Sequence, residues 1–252
     1  MNIDLSCDMG ESSDAGSLAV EEAIWPLITS ANIACGGHAG NDASMRHAVR
    51  LAIAHDVAIG AHPSYPDREH FGRRSMDIGR EALGAALREQ IGALARIAAE
   101  EGAAVEHVKP HGALYNDAHR DLAAAQAIVE VCREAGAAIV AAAGSAVERE
   151  ARGRGCRVIL EGFADRRYRG DGSLQPRGEE GSLLLDISAA AAQAVKLAQS
   201  APITAADATT VNVPCETICI HSDMPGAVAR LQCIRAALID AGFVVAPLDR
   251  GE

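Results

Sequence analysis

Short β-rich runs alternate with longer helical stretches along the whole chain, and this alternation constrains the fold more than any other feature. We predict strands over residues 2–7, 31–35, 57–61, 105–108, 138–142, 157–160 and 217–220, and the run 243–247 could add a short eighth strand. Helical periodicity covers residues 18–28, 43–55, 80–101, 117–135, 145–152, 183–199 and 226–241. This succession of βα units predicts an α/β fold, a closed (β/α) barrel-like arrangement of seven or eight parallel strands rather than an open doubly wound sheet.

The composition sets the size of the fold and argues against several partners. A chain of 252 residues without an evident linker is expected to form one (β/α) barrel-like domain over residues 1–252. Hydrophobic residues make up 49% of the chain but aromatic residues only 3%, so small aliphatic side chains must fill the core. The net charge of −11 argues against nucleic acid and anionic membranes. With no visible signal peptide, no long apolar run and no C-x-x-C pair among seven cysteines, a reduced, cytoplasmic protein is expected.

Ionisable side chains follow six of the seven predicted strands. In strand order they are Asp8 and Glu11, His38, His62, Lys109 and His111, Asp165 and Arg166, and His221 and Asp223. In a parallel barrel the carboxyl ends of all strands lie on one face, where active sites are built. We therefore predict that these groups converge on one pocket, and we expect Lys109, which Pro110 forces out of helical geometry, to reach the pocket mouth.

Several polar residues have a simpler structural interpretation. A single aspartate at a strand end is often a helix N-cap, and this applies to Asp8 or Asp223 taken alone. Five histidines on predicted helices, loops or a strand start are expected to be structural: His47, His55, His70, His107 and His119. Buried small residues, rather than nucleophiles, are expected at Cys35, Cys215 and Cys219, whereas Cys7 beside Asp8 could be either.

Two long arginine-containing segments, 64–79 and 166–181, have no predicted helix or strand. Loops of this length are usually functional, and guanidinium groups match carboxylate and phosphate oxygens. We predict that Arg73 and Arg166 bind an anionic substrate, together with Tyr115 and Asn116 of the KPHGALYN segment.

The same polar residues leave the chemistry open between metal binding and acid–base catalysis. Asp8, His38 and His62 are candidate ligands for a divalent metal ion, but no closely spaced motif such as H-E-x-x-H identifies a site. Neutral histidines could equally act as general acids and bases. Neither G-x-G-x-x-G nor G-x-x-x-x-G-K-[ST] is present, so ATP would bind by another route.

Four ordered segments, SANIACGGHAG, AIGAHPSYPDREHFGRR, HVKPHGALYN and GFADRRYRGDGSLQPR, resemble those of the LamB/YcsF family. The resemblance runs from IDLSCDMGE at residue 3 to the ICIHSD segment. It implies a barrel related to the glycoside hydrolase and deacetylase barrels. It also implies ATP-dependent opening of 5-oxoproline to L-glutamate, with ATP as a magnesium-bound co-substrate. In this family the reaction belongs to a 5-oxoprolinase whose A subunit works with subunits B and C.

Carried over position by position, the resemblance gives the catalytic set Asp8, Glu11, His38, His62, Lys109, His111, Asp165 and His221. Lys109 and Arg166 would hold phosphate and the substrate carboxylate. Asp8, with His38 or His62, would orient or deprotonate water, and His111 and His221 would protonate the departing nitrogen. The chain departs from the usual family motifs at Ser6, Gly37, Asn41 and Ser222, and each change is expected to border the pocket.

Two other function classes fit the same residues. A metal-dependent amidohydrolase or deacetylase would act on a small amide without ATP. A non-catalytic subunit would bind oxoproline and deliver it to partner subunits. Chelator sensitivity would identify the former, and turnover that appears only with partners would favour the latter.

Overall fold

A computed structural model describes residues 1–12 and 14–247. Within them a closed parallel barrel is formed, in spatial order, by β1 (Asn2–Met9), β2 (Ser30–Ala34), β3 (Ala58–His62), β4 (His107–Val108), β5 (Ala138–Ala141), β6 (Val158–Phe163) and β9 (Thr217–Ile220). Pairing of β9 with both β6 and β1 closes the barrel, which confirms the predicted fold class. A short strand, β10 (Val244–Val245), pairs with the start of β1 where an eighth strand was considered. The antiparallel hairpin of β7 (Ile203–Thr204) and β8 (Thr210–Val211) was not predicted.

The helices that follow the strands are α1 (Ala15–Ile24), α2 (Asp42–Ala54), α3 (Arg80–Glu100), α4 (Gly112–Asp117), α5 (Leu122–Ala135), α6 (Ala146–Gly153), α7 (Ile187–Ala198) and α8 (Ala227–Asp240). The helix predicted over 117–135 begins only at Leu122, because the side chain of Asp121 caps it by accepting hydrogen bonds from the backbone N–H groups of Ala123 and Ala124. The short helix α4 before it was not predicted. Asp186 likewise caps α7, which begins four residues after the predicted start at 183. In the described part of the chain, no helix is both long and apolar enough to cross a membrane.

The residues of β1 alternate between apolar and polar side chains, because successive side chains of a strand point to opposite faces. Ile3, Leu5, Cys7 and Met9 belong to the large hydrophobic cluster. Asp4, Ser6 and Asp8 occupy the alternate positions and are also buried, so the second face of β1 is polar. The prediction that this strand ends at residue 7 is wrong, since β1 continues to Met9 and contains Asp8.

Polar contacts across the strands explain how these buried groups are accommodated. Near the start of β1, Asp4 accepts hydrogen bonds from the hydroxyl groups of Thr29, Ser30 and Thr217. Near its end, Asn32 Nδ2 donates to Asp8 Oδ1 over 2.9 Å, and Asn32 Oδ1 lies 3.0 Å from His107 Nε2.

Gly60 provides the space that His107 occupies. A Cβ atom at position 60 would overlap the imidazole ring of His107, which pairs with Gly60 across β3 and β4. His107 is therefore held by its hydrogen bond to Asn32 and fits in the space left by Gly60. This agrees with the structural role predicted for it.

Candidate active site

A cavity of about 420 Å³ opens at the carboxyl ends of the barrel strands. Ten of the predicted site residues line it: Asp8, Glu11, His62, Arg73, Lys109, His111, Tyr115, Asn116, Arg166 and His221. The remaining two, His38 and Asp165, lie behind the lining and contact Glu11 and His221, respectively. Residues far apart in the sequence therefore meet at one place because their strands end on one face of the barrel.

Lys109 lies at the base of this cavity, with only 3% of its surface exposed, so the prediction that it reaches the mouth is wrong. Its Nζ atom donates to Asp8 Oδ1 and lies 2.9 Å from both Asp8 Oδ1 and Glu161 Oε1. Burial opposes its charge, but Asp8, Cys219 and Glu161 together raise the pKa of Lys109 well above its usual value. The ammonium group is held inward because two buried carboxylates face it.

Glu161 was missed in the sequence. It lies within β6, where it is 1% exposed, and burial raises its pKa although Lys109 partly offsets this effect. The signal was a glutamate in the middle of the apolar strand VILEGF, at a position two residues before Phe163, which lines the cavity. A buried carboxylate on a strand calls for a cationic partner, and only the fold reveals that the partner is Lys109.

Contacts with neighbouring side chains also determine whether the buried Asp8 carboxyl group is ionised. Burial would raise the pKa of this carboxyl group, but the charges of His62 and Lys109 hold it well below the ordinary value of 3.8. His62 Nε2 lies 3.3 Å from Asp8 Oδ2. Asp8 is thus an ionised carboxylate at the cavity wall, suitable for accepting a proton or orienting a water molecule.

Four side chains, Glu11, His38, His62 and His111, form a compact cluster beside Asp8. Each offers one ligand-type atom, and these atoms lie within 4.8 Å of one another. The rings of His38 and His111 are stacked with centroids 3.6 Å apart. Burial, followed by the charge of His62, lowers the pKa of His38 to about 2 and that of His111 also far below its usual value. Burial and the charge of Asp8 raise the pKa of Glu11 to about 7.

His221 is oriented by Asp165. Both carboxylate oxygens of Asp165 lie near His221 Nδ1, at 3.1 and 2.9 Å, and one also accepts the backbone N–H of His221. Burial alone would raise the pKa of Asp165, but His221 lowers it. The ionised carboxylate places the proton of His221 on Nδ1, so Nε2 is the ring atom available to the cavity.

The arginines of the two long loops differ in whether they have hydrogen-bond donors left for a ligand. Arg73 and Arg177 both donate to Asp223, which is the residue that joins these loops. Arg166 is 5% exposed, and its Nη2 atom donates to the backbone carbonyl of Gln175. Its buried Nε has no hydrogen-bond partner among the described residues. Arg166 therefore has a donor left for an anion, whereas Arg73 and Arg177 share the single carboxylate of Asp223.

Only one of the four departures from the family motifs lines this cavity. Ser222 does so, and its hydroxyl group donates to the backbone carbonyl of Asp8. Asn41 caps α2, Ser6 contacts Thr217 inside the barrel, and a Cβ at Gly37 would overlap the side chains of Gln90 and Ser64. The expectation that all four border the pocket is wrong for Ser6, Gly37 and Asn41, whose neighbours are structural.

Four cysteines, Cys7, Cys35, Cys132 and Cys219, are buried, whereas Cys215, for which burial was expected, is only partly buried. Cys7 is fully buried in the hydrophobic cluster, so it faces away from the cavity that its neighbour Asp8 lines. Cys219 Sγ lies 3.0 Å from Lys109 Nζ, yet burial raises its pKa well above its usual value. A buried thiol of this kind is protonated and a poor nucleophile.

Comparison with known proteins gives a consistent relationship over the whole chain. The A subunit of 5-oxoprolinase from Bordetella pertussis is 44% identical over 245 residues, covering 96% of this chain and 97% of that protein. The crystal structure of a lactam utilization protein from Thermus thermophilus superposes with a TM-score of 0.90 at 40% identity, covering 98% of this chain and all of that one.

A more distant likeness concerns the fold alone. A family 4 carbohydrate esterase from Streptomyces lividans has a TM-score of 0.53 at 11% identity, covering 99% of this chain and 93% of the other, which agrees with the expected relation to deacetylase barrels. The sequence profile of the LamB/YcsF family matches residues 3–252. Together with the 40–44% identity to full-length relatives, this match shows that the chain belongs to the LamB/YcsF family.

Proposed function

We propose that the protein is the A subunit of a multi-subunit, ATP-hydrolysing 5-oxoprolinase, which opens 5-oxoproline to L-glutamate in the cytoplasm together with subunits B and C. The observation that carries the proposal is a cavity lined by an ionised carboxylate, an imidazole oriented by Asp165 and an arginine whose Nε has no hydrogen-bond partner among the described residues. The relatives named as A subunits of 5-oxoprolinase and the lactam utilization protein support the substrate class.

Recognition of the substrate carboxylate is assigned to Arg166. The carboxylate of 5-oxoproline needs a cation with donors that the protein has not already used, and the buried guanidinium of Arg166 meets this requirement. Arg73 would contribute at the rim, where it also contacts the ring of Phe71. Tyr115 and Asn116 line the same cavity and would contact the lactam ring.

Ring opening requires activation of a stable amide. Transfer of the terminal phosphoryl group of ATP to the lactam oxygen gives ADP and makes the ring carbon susceptible to water. Asp8, with His62 beside it, would take the proton of the attacking water, and Lys109 would stabilise negative charge that develops nearby. Since His38 does not line the cavity, its part would be to hold Glu11 rather than to contact water.

Departure of the ring nitrogen requires a proton donor. His221 can donate from Nε2 when its ring carries a proton on both nitrogens, because Asp165 then holds the Nδ1–H and leaves the second proton for the ring nitrogen of the substrate. His111 lies on the same cavity wall. Cleavage of the carbon–nitrogen bond leaves γ-glutamyl phosphate, and a second water molecule releases L-glutamate and phosphate. The overall reaction consumes one ATP and two water molecules.

The test measures glutamate and phosphate formed from 5-oxoproline and ATP by this chain alone and by the chain assembled with subunits B and C. We expect equal amounts of both products from the complete assembly. In Arg166→Gln, loss of a charge-assisted hydrogen bond should raise the KM for 5-oxoproline about 10- to 100-fold, whereas the exposed Arg169→Gln serves as the matched control. A complete assembly that forms no glutamate would refute the proposal.

A hydrolase acting on a small amide without ATP is the second candidate. The observation that favours it is the cluster of Glu11 and three histidines adjoining the cavity. Glutamate formation that is independent of ATP but abolished by a chelator would identify this alternative.

A further inference from the structure

We propose that Glu11, His38, His62 and His111 bind one divalent transition-metal ion through three imidazole nitrogens and one carboxylate oxygen, with Zn²⁺ as the best-matched ion. The proposal concerns a wall of the cavity described above, but it rests on the geometry of these four side chains. Metal binding can therefore be tested separately from ring opening.

The spacing of the four ligand atoms suits a tetrahedral ion. Glu11 Oε1 lies 2.8 Å from His38 Nε2, 3.3 Å from His111 Nδ1 and 3.8 Å from His62 Nε2, and the last two nitrogens are 3.0 Å apart. Ligand bonds of about 2.0–2.1 Å in a tetrahedron place neighbouring ligand atoms about 3.3 Å apart. The four distances bracket this value, and since all the ligand atoms of the cluster lie within 4.8 Å of one another, side chains would have to move inward to complete a tetrahedron.

Hydrogen bonds behind two of the rings determine where their protons lie. His62 Nδ1 is 2.7 Å from the backbone carbonyl of Lys109, and His111 Nε2 is 3.0 Å from that of Phe71. A carbonyl oxygen only accepts, so each of these nitrogens must carry the hydrogen. Backbone partners of this kind are what orient metal-binding histidines in proteins.

The consequence is a pair of facing lone pairs. In the neutral rings, His62 Nε2 and His111 Nδ1 carry no hydrogen, yet they lie 3.0 Å apart with Glu11 Oε1 close to both. Atoms that only accept repel one another at this distance unless a cation lies between them. A single proton could join one pair of these atoms, whereas a metal ion would satisfy all of them at once.

His38 adds a third imidazole, which a proton shared between His62 and His111 would leave without a partner cation. His38 stacks on His111 at 3.6 Å, and two stacked imidazolium ions would repel each other. Its Nδ1 is buried without a hydrogen-bond partner among the described residues, while Nε2 faces Glu11. Three neutral imidazoles around one carboxylate give a ligand set with a single negative charge, which matches a divalent ion of borderline softness.

The assignment changes the ligand set expected from the sequence. Asp8 was a candidate with His38 and His62, but it is not among the four residues whose ligand atoms all lie within 4.8 Å of one another, and its Oδ1 accepts hydrogen bonds from Lys109 and Asn32. Glu11 and His111 take its place. They come from the loop after β1 and the segment after β4, so no short ligand motif could have indicated them.

The experiment uses the full-length chain stripped with EDTA. Co²⁺ absorption in the visible range reports tetrahedral coordination, elemental analysis gives the Zn²⁺ stoichiometry, and thermal unfolding with and without Zn²⁺ reports binding to the folded state. We expect one ion per chain and a rise in the unfolding midpoint. Glu11→Gln and His111→Gln should each weaken Zn²⁺ binding about 100-fold or more, while His47→Gln, which removes an exposed imidazole, should bind as the parent does.

Each outcome decides the matter. Less than about a tenth of an equivalent of Zn²⁺ or Co²⁺ on a folded parent chain would overturn the proposal and leave a shared proton between His62 and His111. Equal loss of binding in His47→Gln would assign the ion to a different place. If Glu11→Gln does not fold, His111→Gln supplies the same comparison. A chain that binds metal but forms no glutamate in the assembly would contradict only the proposed reaction.

Discussion

Asp4 and Asp8 lie four residues apart on the same face of β1, and both are buried, but their surroundings differ. Asp4 is surrounded by three hydroxyl donors and no cation contacts it among the described residues, so burial raises its pKa. Asp8 has Lys109 and His62 as neighbours, and these lower its pKa despite the burial.

The difference teaches how one strand serves two purposes. Neutral hydroxyl donors tie β1 to β9 and to the residues entering β2, which is what a structural carboxylate needs. The Lys109 ammonium, 2.9 Å away, keeps Asp8 ionised at the cavity wall, which is what a reactive carboxylate needs. Residue type and burial are the same, so the partners alone distinguish the two roles.

The largest effect should come from Asp8→Asn. This substitution keeps the size of the side chain but removes its proton-accepting charge, and we expect glutamate formation by the assembled enzyme to fall about 10²- to 10⁴-fold. Asp4→Asn is the matched control and should retain activity close to that of the parent. Near-normal turnover by Asp8→Asn would show that the two carboxylates do not differ in function.

The next effect should be on stability, from Asp4→Ala. Removal of this acceptor leaves the hydroxyl groups of Thr29, Ser30 and Thr217 to find other partners inside the barrel. We expect the free energy of unfolding to fall by about 1–3 kcal/mol, measured by urea denaturation, with the KM for 5-oxoproline unchanged. A loss of activity in protein that remains folded would contradict the structural role.

The two carboxylates should also give opposite dependences of stability on pH. The raised pKa of Asp4 means that its contribution is fully present below its unfolded value of about 3.8 and is lost as the pH rises through the folded value. The lowered pKa of Asp8 means that its contribution is present above about 3.8 and is lost as the pH falls through the folded value. Urea denaturation of the parent, Asp4→Asn and Asp8→Asn from strongly acidic to neutral pH measures both differences, with the Asp8 effect confined to the acidic end of the range. Slopes of the same sign would contradict the comparison.

The smallest effect should follow Arg88→Gln. This exposed arginine joins α3 to α5 through Glu134, and solvent screens such pairs. We expect no resolvable change in the urea midpoint or in activity, which sets the baseline for the other variants. A clear loss of stability would show that surface ion pairs contribute more here than the buried groups of β1 suggest.

Much of the barrel was predictable because strands and helices leave different periodicities in the sequence. The positions of Asp8, His62 and His111 at strand ends predicted that they would meet, since all parallel strands end on one face. Lys109 was placed at the mouth because nothing in its local sequence reveals Glu161, which lies 52 positions away on β6.

Other contacts depend on loops whose paths have no local signal. The segments 64–79 and 166–181 predict functional arginines, but nothing in them indicates that Arg73 and Arg177 share the carboxylate of Asp223. The start of α5 at Leu122 could have been anticipated, because Asp121 is a favourable N-cap and the residues 117–121 before it are mostly polar.

The fit of His107 against Gly60 limits how this barrel can vary. A mutant library that randomises position 60 alone should return glycine among folded members, because any larger residue displaces the ring and, through Asn32, disturbs the amide that reaches Asp8. Simultaneous randomisation of 60 and 107 should recover larger residues at 60 paired with smaller ones at 107. Positions 60 and 107 should therefore covary. Through His107 and Asn32, a glycine thereby influences the position of Asp8 in the cavity wall.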